Sequence, residues 1–249
     1  MDGKRFKPHH LSIAIGLAFA VVTVASGIAG AALAFHDDSP ESRMVFGNIP
    51  DPLQVAFYTV IPILIVIGAF QFANRMKNWE RGRPDNRATN ARNAKRRLGD
   101  FRAGVYMQTL LREPAAGVMH SLIYFSFLIL LGVTTALEVD HQLPEGAKFL
   151  HGGTYKGFAA VGDIAGLMLL AGVVWAIVRR YGPRAWRPYR IRIKTKPEHA
   201  IILGTFLLLA LTGFAAEMFR IALVDRPSFE KWSIVGYPLS GLVDGSSHL

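Results

Sequence analysis

The stretch AAGVMHSLIYFSFLILLGVTTAL, residues 115–137, decides the fold. It holds one ionisable side chain, His120, in a run long enough, at about 1.5 Å per residue, to cross a hydrocarbon core of about 30 Å. Lipid offers no partners to backbone amides, so such a run is stable there only as a helix. Four further runs match it, at 11–35, 53–72, 157–178 and 200–223, none with more than a couple of ionisable groups. The chain is therefore predicted to be an all-α integral membrane bundle of five transmembrane helices. Composition agrees: the 249 residues are 51% hydrophobic and 18% charged, with a mean hydropathy of +0.27. The run 11–35 is too long for the h-region of a cleaved signal peptide and has no small-residue cleavage site before His36, so it is read as a retained helix.

The net charge of +10 would suit a nucleic-acid binder if it lay along one globular face, but the charges sit between the apolar runs, so no nucleic-acid partner is expected. Lys4, Arg5 and Lys7 precede the first run, a basic stretch at 75–112 follows the second, and another at 179–196 follows the fourth. The connections 36–52, with Asp37, Asp38, Glu41 and Asp51, and 138–156, with Glu138, Asp140 and Glu145, are acidic or mixed. Basic loops stay inside, so the N-terminus is expected in the cytoplasm, residues 224–249 outside, and the protein in the inner (cytoplasmic) membrane as a multi-pass chain. The expected organisation is a two-helix membrane segment at 1–76, a basic cytoplasmic linker at 77–113, and a three-helix domain at 114–249. Within the linker, 85–97 reads as mobile chain and 98–113 as an amphipathic helix lying in the inner interface. Thr195 to Glu198 fits a capping box opening the fifth span, with Pro197 in its first turn. Gly162 and Gly166 form a small-xxx-small pattern that permits close helix approach.

Without cysteine, the chain has no disulfide, zinc thiolate or thiolate-held cluster of its own. No Walker loop, dinucleotide fingerprint, hydrolase elbow or zinc-protease motif is present, which sets phosphate transfer and hydrolysis aside. Ionisable groups inside apolar spans are costly and mark candidate sites. His120, about one turn inside the third span, either ligates iron, with Tyr124, Phe125 and Phe127 to pack on a porphyrin, or bonds a carbonyl or lipid phosphate. His199 opens the fifth span at the same face and either shares that iron or serves the helix terminus. His36, His141 and His151 lie near the outer surface, and His9 and His10 at headgroup level. Asp163, Glu217 and Arg220 fall in the outer halves of the fourth and fifth spans. They suit either a proton-accepting quinol site, with Arg220 also able to hold haem propionates, or a structural Glu217–Arg220 pair with Asp163 on a hydroxyl.

Residues 97-RLGDFR-102, Leu110 through Phe127 around His120, Gly132 to Thr134, 149-FLHGGTY-155, 163-DIAGL-167 and 212-TGFAAEMFRIA-222 occur in an order that resembles a known domain. It is the haem-b membrane domain related to the respiratory nitrate reductase gamma subunit, at the N-terminus of heterodisulfide-reductase-related membrane iron–sulfur proteins. The resemblance covers roughly 97–240. It implies haem b with His120 as axial ligand, and electrons passing between a membrane quinone and cytoplasmic iron–sulfur clusters. It further implies a sixth helix with two more histidines and cysteine-rich cluster domains, whereas this sequence reaches Leu249 first. Leu130 stands where the nitrate reductase subunit has a second ligand. The expectation is thus one haem in an incomplete domain, its second ligand and all clusters belonging to a missing domain or a partner. The chain would be the membrane part of a quinone-linked oxidoreductase. The rival is a cofactor-free anchor in the bilayer that docks a soluble redox subunit on its basic loops.

Overall fold

The computed structural model describes residues 14, 17, 21, 43, 45, 46, 49–82, 90–106, 112–183, 185 and 196–243. Six helices lie among them: α1 (Asp51–Glu80), α2 (Ala91–Val105), α3 (Pro114–Gln142), α4 (Gly152–Tyr181), α5 (Pro197–Leu223) and the short α6 (Gly236–Ser240). Short 3-10 turns occupy Glu145–Ala147 and Ser228–Trp232, and no β-strand occurs among the described residues. The fold is all-α.

Helices α1, α3, α4 and α5 are each long and apolar enough to cross a bilayer, which makes the chain a multi-pass membrane protein. At 27 to 30 residues they measure about 40–45 Å, so each overruns the apolar run that predicts it. Of the predicted span 11–35 only Ala14, Leu17 and Val21 are described, all helical and exposed; the rest lies outside the described residues. Hydroxyls within the spans satisfy themselves on their own helices. Thr59, Thr134, Thr205 and Thr212 each donate to the carbonyl four residues back at 2.7–2.9 Å, the solution open to a hydroxyl with no water nearby.

Contacts divide the chain into two compact units. The first holds α1 and residues 141–147. In it Phe46 rings meet Phe57, Tyr58 and His141 at 5.8–6.0 Å, and Gln142 donates to the Tyr58 hydroxyl at 3.2 Å. His141 is thus a member of an aromatic cluster.

The second unit holds Arg43, α2, most of α3, and α4 through α6. Its central helix is α4, whose buried positions Tyr155, Ala159, Asp163, Gly166, Leu169, Val173 and Ala176 recur every three or four residues and so form one inward stripe. Leu169, Val173 and Ala210 make the mid-depth core, with Ile123, Leu130 and Phe206 against it. Small residues let the helices touch. A Cβ at Gly166 would stand 2.7 Å from the Phe214 ring, and one at Gly172 2.8 Å from Ile123 Cγ1 and 3.1 Å from its backbone nitrogen. The predicted close approach therefore occurs at Gly166, while at Gly162 a Cβ would meet Val133 at an ordinary 3.7 Å. Leu208, Leu209, Leu211, Leu131 and Val174 point outward, as suits a lipid solvent.

Two sequence expectations need correcting. The helix expected at 98–113 is present over 98–105 but begins earlier, at Ala91, because Asn90 caps it by accepting from Asn93 N at 2.8 Å; part of the supposed mobile linker is therefore helical, and 107–111 lie outside the described residues. The fifth span does not open on a Thr195 capping box. Its N-cap is Lys196, whose carbonyl takes the His199 amide at 3.1 Å, while Thr195 lies outside the described residues.

Candidate functional site

The end of the second unit where α4 begins and α5 finishes is polar and closed over by its own chain. Asp140, on the last turns of α3, accepts from the amides of Phe149 and Leu150 at 2.7 and 2.8 Å and fixes the turn into α4. Gly152 enters α4 at φ 55, a conformation that suits glycine. After α5 the chain reverses through Asp225 and Arg226 at φ 58 and 52, a costly pair of left-handed residues. Arg226 is held there by Ser240 Oγ at 3.0 Å and lies 4.7 Å over the Tyr237 ring. The reversal lays 228–240 across the ends of α4 and α5.

Under that cover the three ionisable residues predicted from the spans come together. Asp163 Oδ2 accepts from the amides of Val235 and Gly236 at 2.6 and 3.3 Å, so its partners are backbone amides and not the hydroxyl expected. Glu217 lies within hydrogen-bonding reach of Asp163 and Ser233. It presses against Gly236, where a Cβ would stand 2.6 Å from the Glu217 carboxyl carbon, so a larger residue there would have to displace the Glu217 side chain. Arg220 is 3.9 Å from Glu217 but spends both terminal nitrogens on Glu230, at 2.5 and 3.2 Å, in a bidentate pair. The carboxylate that Arg220 holds here is the protein's own Glu230.

Sequence reading missed four contributors. Glu230, 1% exposed, also accepts from the Tyr155 hydroxyl at 2.8 Å and from Ser233 Oγ at 3.3 Å. Tyr155 and Ser233 are equally buried. Arg43 faces Arg220, Tyr155, Glu217 and Glu230; burial first, and then Arg220, press its guanidinium below the ordinary value, while Tyr155 and the two carboxylates pull it back. Both arginine Nε atoms, of Arg43 and Arg220, are buried without a hydrogen-bond partner. Tyr155 lies in one of the quoted familiar segments, so a signal existed for it; Glu230 and Ser233 are polar loop residues brought in by the chain reversal, and Arg43 is a polar residue of the chain before α1.

The opposite end is sparse. His120 is exposed on α3, with Arg179 and Arg180 within electrostatic reach, and Arg179 pairs with the exposed Glu113. His199 is half-buried in the first turn of α5. Nothing among the described residues links the two histidines, and no three His, Cys, Asp or Glu gather there or elsewhere among them to hold a metal ion. Leu130 packs against the core of Leu169, Val173 and Ala210. The described residues offer a haem one outward imidazole and do not assemble a haem site by themselves. His151 precedes α4 as its N-cap without a side-chain bond, and His9, His10 and His36 lie outside the described residues.

Over 180 residues, 72% of its length, the chain is 28% identical to a protein of Syntrophomonas wolfei subsp. wolfei (strain DSM 2245B / Goettingen) named EtfAB:quinone oxidoreductase. The matched part is 24% of that relative's length. No protein-family model matches the chain. No solved structure matches it either.

Proposed function

We propose that the chain is the membrane part of a quinone-linked oxidoreductase and that the quinone binds at the polar end, against Asp163, Glu217 and Arg220. One observation carries the reading: in a unit otherwise built for lipid, carboxyl groups and guanidiniums converge on a single spot from α4, α5 and residues outside the spans. The name of the relative, which pairs a protein donor with a quinone, supports it.

Reduction of a quinone adds two electrons and two protons to its ring oxygens. The electrons come from the reduced centre of a partner, an iron–sulfur protein or subunit, or a counterpart of the EtfAB in the relative's name. The protons pass through Glu217, which is 21% exposed and leads to Asp163. In the proposed topology the N-terminus is cytoplasmic, the polar end faces outward, and the partner meets residues 77–113 and the inner ends of a domain at 114–249, beyond a two-helix segment at 1–76. The basic, exposed α2, with Arg92, Lys95, Arg96 and Arg102, is the surface for that meeting. It equally favours the rival reading, a cofactor-free anchor, under which neutralising those charges releases the partner while the polar end stays dispensable.

Haem b on His120 is a separate expectation, tested by a reduced-minus-oxidised spectrum of the chain expressed with haem, with and without its partner. An absent b-type band removes the haem and leaves the quinone site untouched. The quinone site is tested with Glu217→Gln in membranes containing the full chain and its partner. We expect kcat for a short-chain naphthoquinone to fall about 100-fold, the usual worth of a positioned proton carrier. Unchanged turnover overturns the reading.

A further inference from the structure

We propose that Arg43 is a ligand-binding residue of the polar end, donating its Nε–H to a ring carbonyl of a neutral quinone. The inference rests on the quinone reading above and adds to it a binding residue, from the chain preceding α1, and the charge state of the ligand.

Arg43 belongs to the second unit and faces Arg220, Tyr155, Glu217 and Glu230. Its Nε is sealed from solvent and unpaired, and so is the Nε of Arg220 beside it. Proteins seldom leave a buried donor without an acceptor, and here two neighbouring guanidiniums each hold one. Their demands differ. Arg220 is held by both oxygens of Glu230, whereas Arg43 makes no hydrogen bond or ion pair with any carboxylate among the described residues. Among the described residues Arg43 is therefore the donor with capacity to spare, at its Nε.

The charge balance says which acceptor suits it. Arg43 and Arg220 supply two positive charges. Glu230, Glu217 and Asp163 supply three carboxyl groups, so among the described residues the guanidiniums do not outnumber the carboxyls. A phosphate, a free carboxylate or a haem propionate would bring uncompensated negative charge into a low-dielectric site already lined by carboxyls. A quinone carbonyl accepts the hydrogen bond and brings no charge. Arginine suits this better than lysine, because its planar fork fixes the direction of the Nε–H and lysine has no equivalent donor.

The test uses the full chain with its partner in native membranes and a short-chain naphthoquinone as probe. We expect Arg43→Met to raise KM about tenfold, the loss of one charge-assisted hydrogen bond, with kcat within about twofold. Arg43→Lys should recover only part of that loss, and inorganic phosphate should not compete. Wild-type KM in both Arg43 variants, alongside a slowed Glu217→Gln, overturns the role of Arg43 and leaves the quinone reading standing. Full recovery with lysine overturns the Nε–H assignment, and competition by phosphate overturns the neutral ligand. Full turnover in Glu217→Gln takes away the quinone reading, and Arg43 with it. If Arg43→Met fails to accumulate in membranes, the lysine variant decides.

Discussion

The two ends of the second unit solve opposite problems. Where α4 begins and α5 finishes, a buried carboxylate, Glu230, satisfies Arg220, Tyr155 and Ser233 at once, and Asp163 ties the covering segment to α4 through two backbone amides. At the other end Glu113 and Arg179 meet on the surface, and His120 faces away from the core. One end is organised by the chain's own folding; at the other, among the described residues, His120 and Glu113 lie exposed. The difference teaches where the described chain already gathers polar groups and where it leaves them apart.

Breaking the ordered end should cost most. Glu230→Ala strips a buried guanidinium of its bidentate partner and should lower stability by about 3–5 kcal/mol, read as a thermal unfolding shift in detergent. Asp163→Ala leaves the amides of Val235 and Gly236 without their acceptor, at about 1–3 kcal/mol, and should expose 228–240 to faster amide exchange. Gly172→Ala drives a methyl into the backbone of α3 and should cost about 1–3 kcal/mol, whereas Gly132→Ala, with open space around it, should be close to neutral. At the sparse end Glu113→Ala should cost less, about 1 kcal/mol, since Glu113 is itself 67% exposed although the Arg179 side chain is 12% exposed. If Glu113→Ala proves as damaging as Glu230→Ala, the contrast between the ends is wrong.

The spans were legible because lipid imposes a crude rule: a run of about 20 apolar residues has to be a helix. Their ends were less so, since α3 and α4 continue through polar residues such as Asp140 and Lys156 that hydropathy assigns to loops. Asp163, Glu217 and Arg220 were legible for the same reason as the spans, as charges set against an apolar background. Glu230, Ser233 and Arg43 were not, because a polar residue in a loop has no contrast with its neighbours. The burial of Glu230 and Ser233 follows from the left-handed turn at Asp225 and Arg226, which no local periodicity announces. The start of α2 was missed in a similar way: the cap at Asn90 outweighs the polar composition that suggested mobile chain.

The account stands or falls on where the quinone sits. A photoactivatable naphthoquinone, cross-linked to the full chain in membranes and mapped by peptide mass, should label 214–240 and the first turns of α4. Label confined to the His120 face of α3, or spread without preference over the lipid-facing helices, would contradict it.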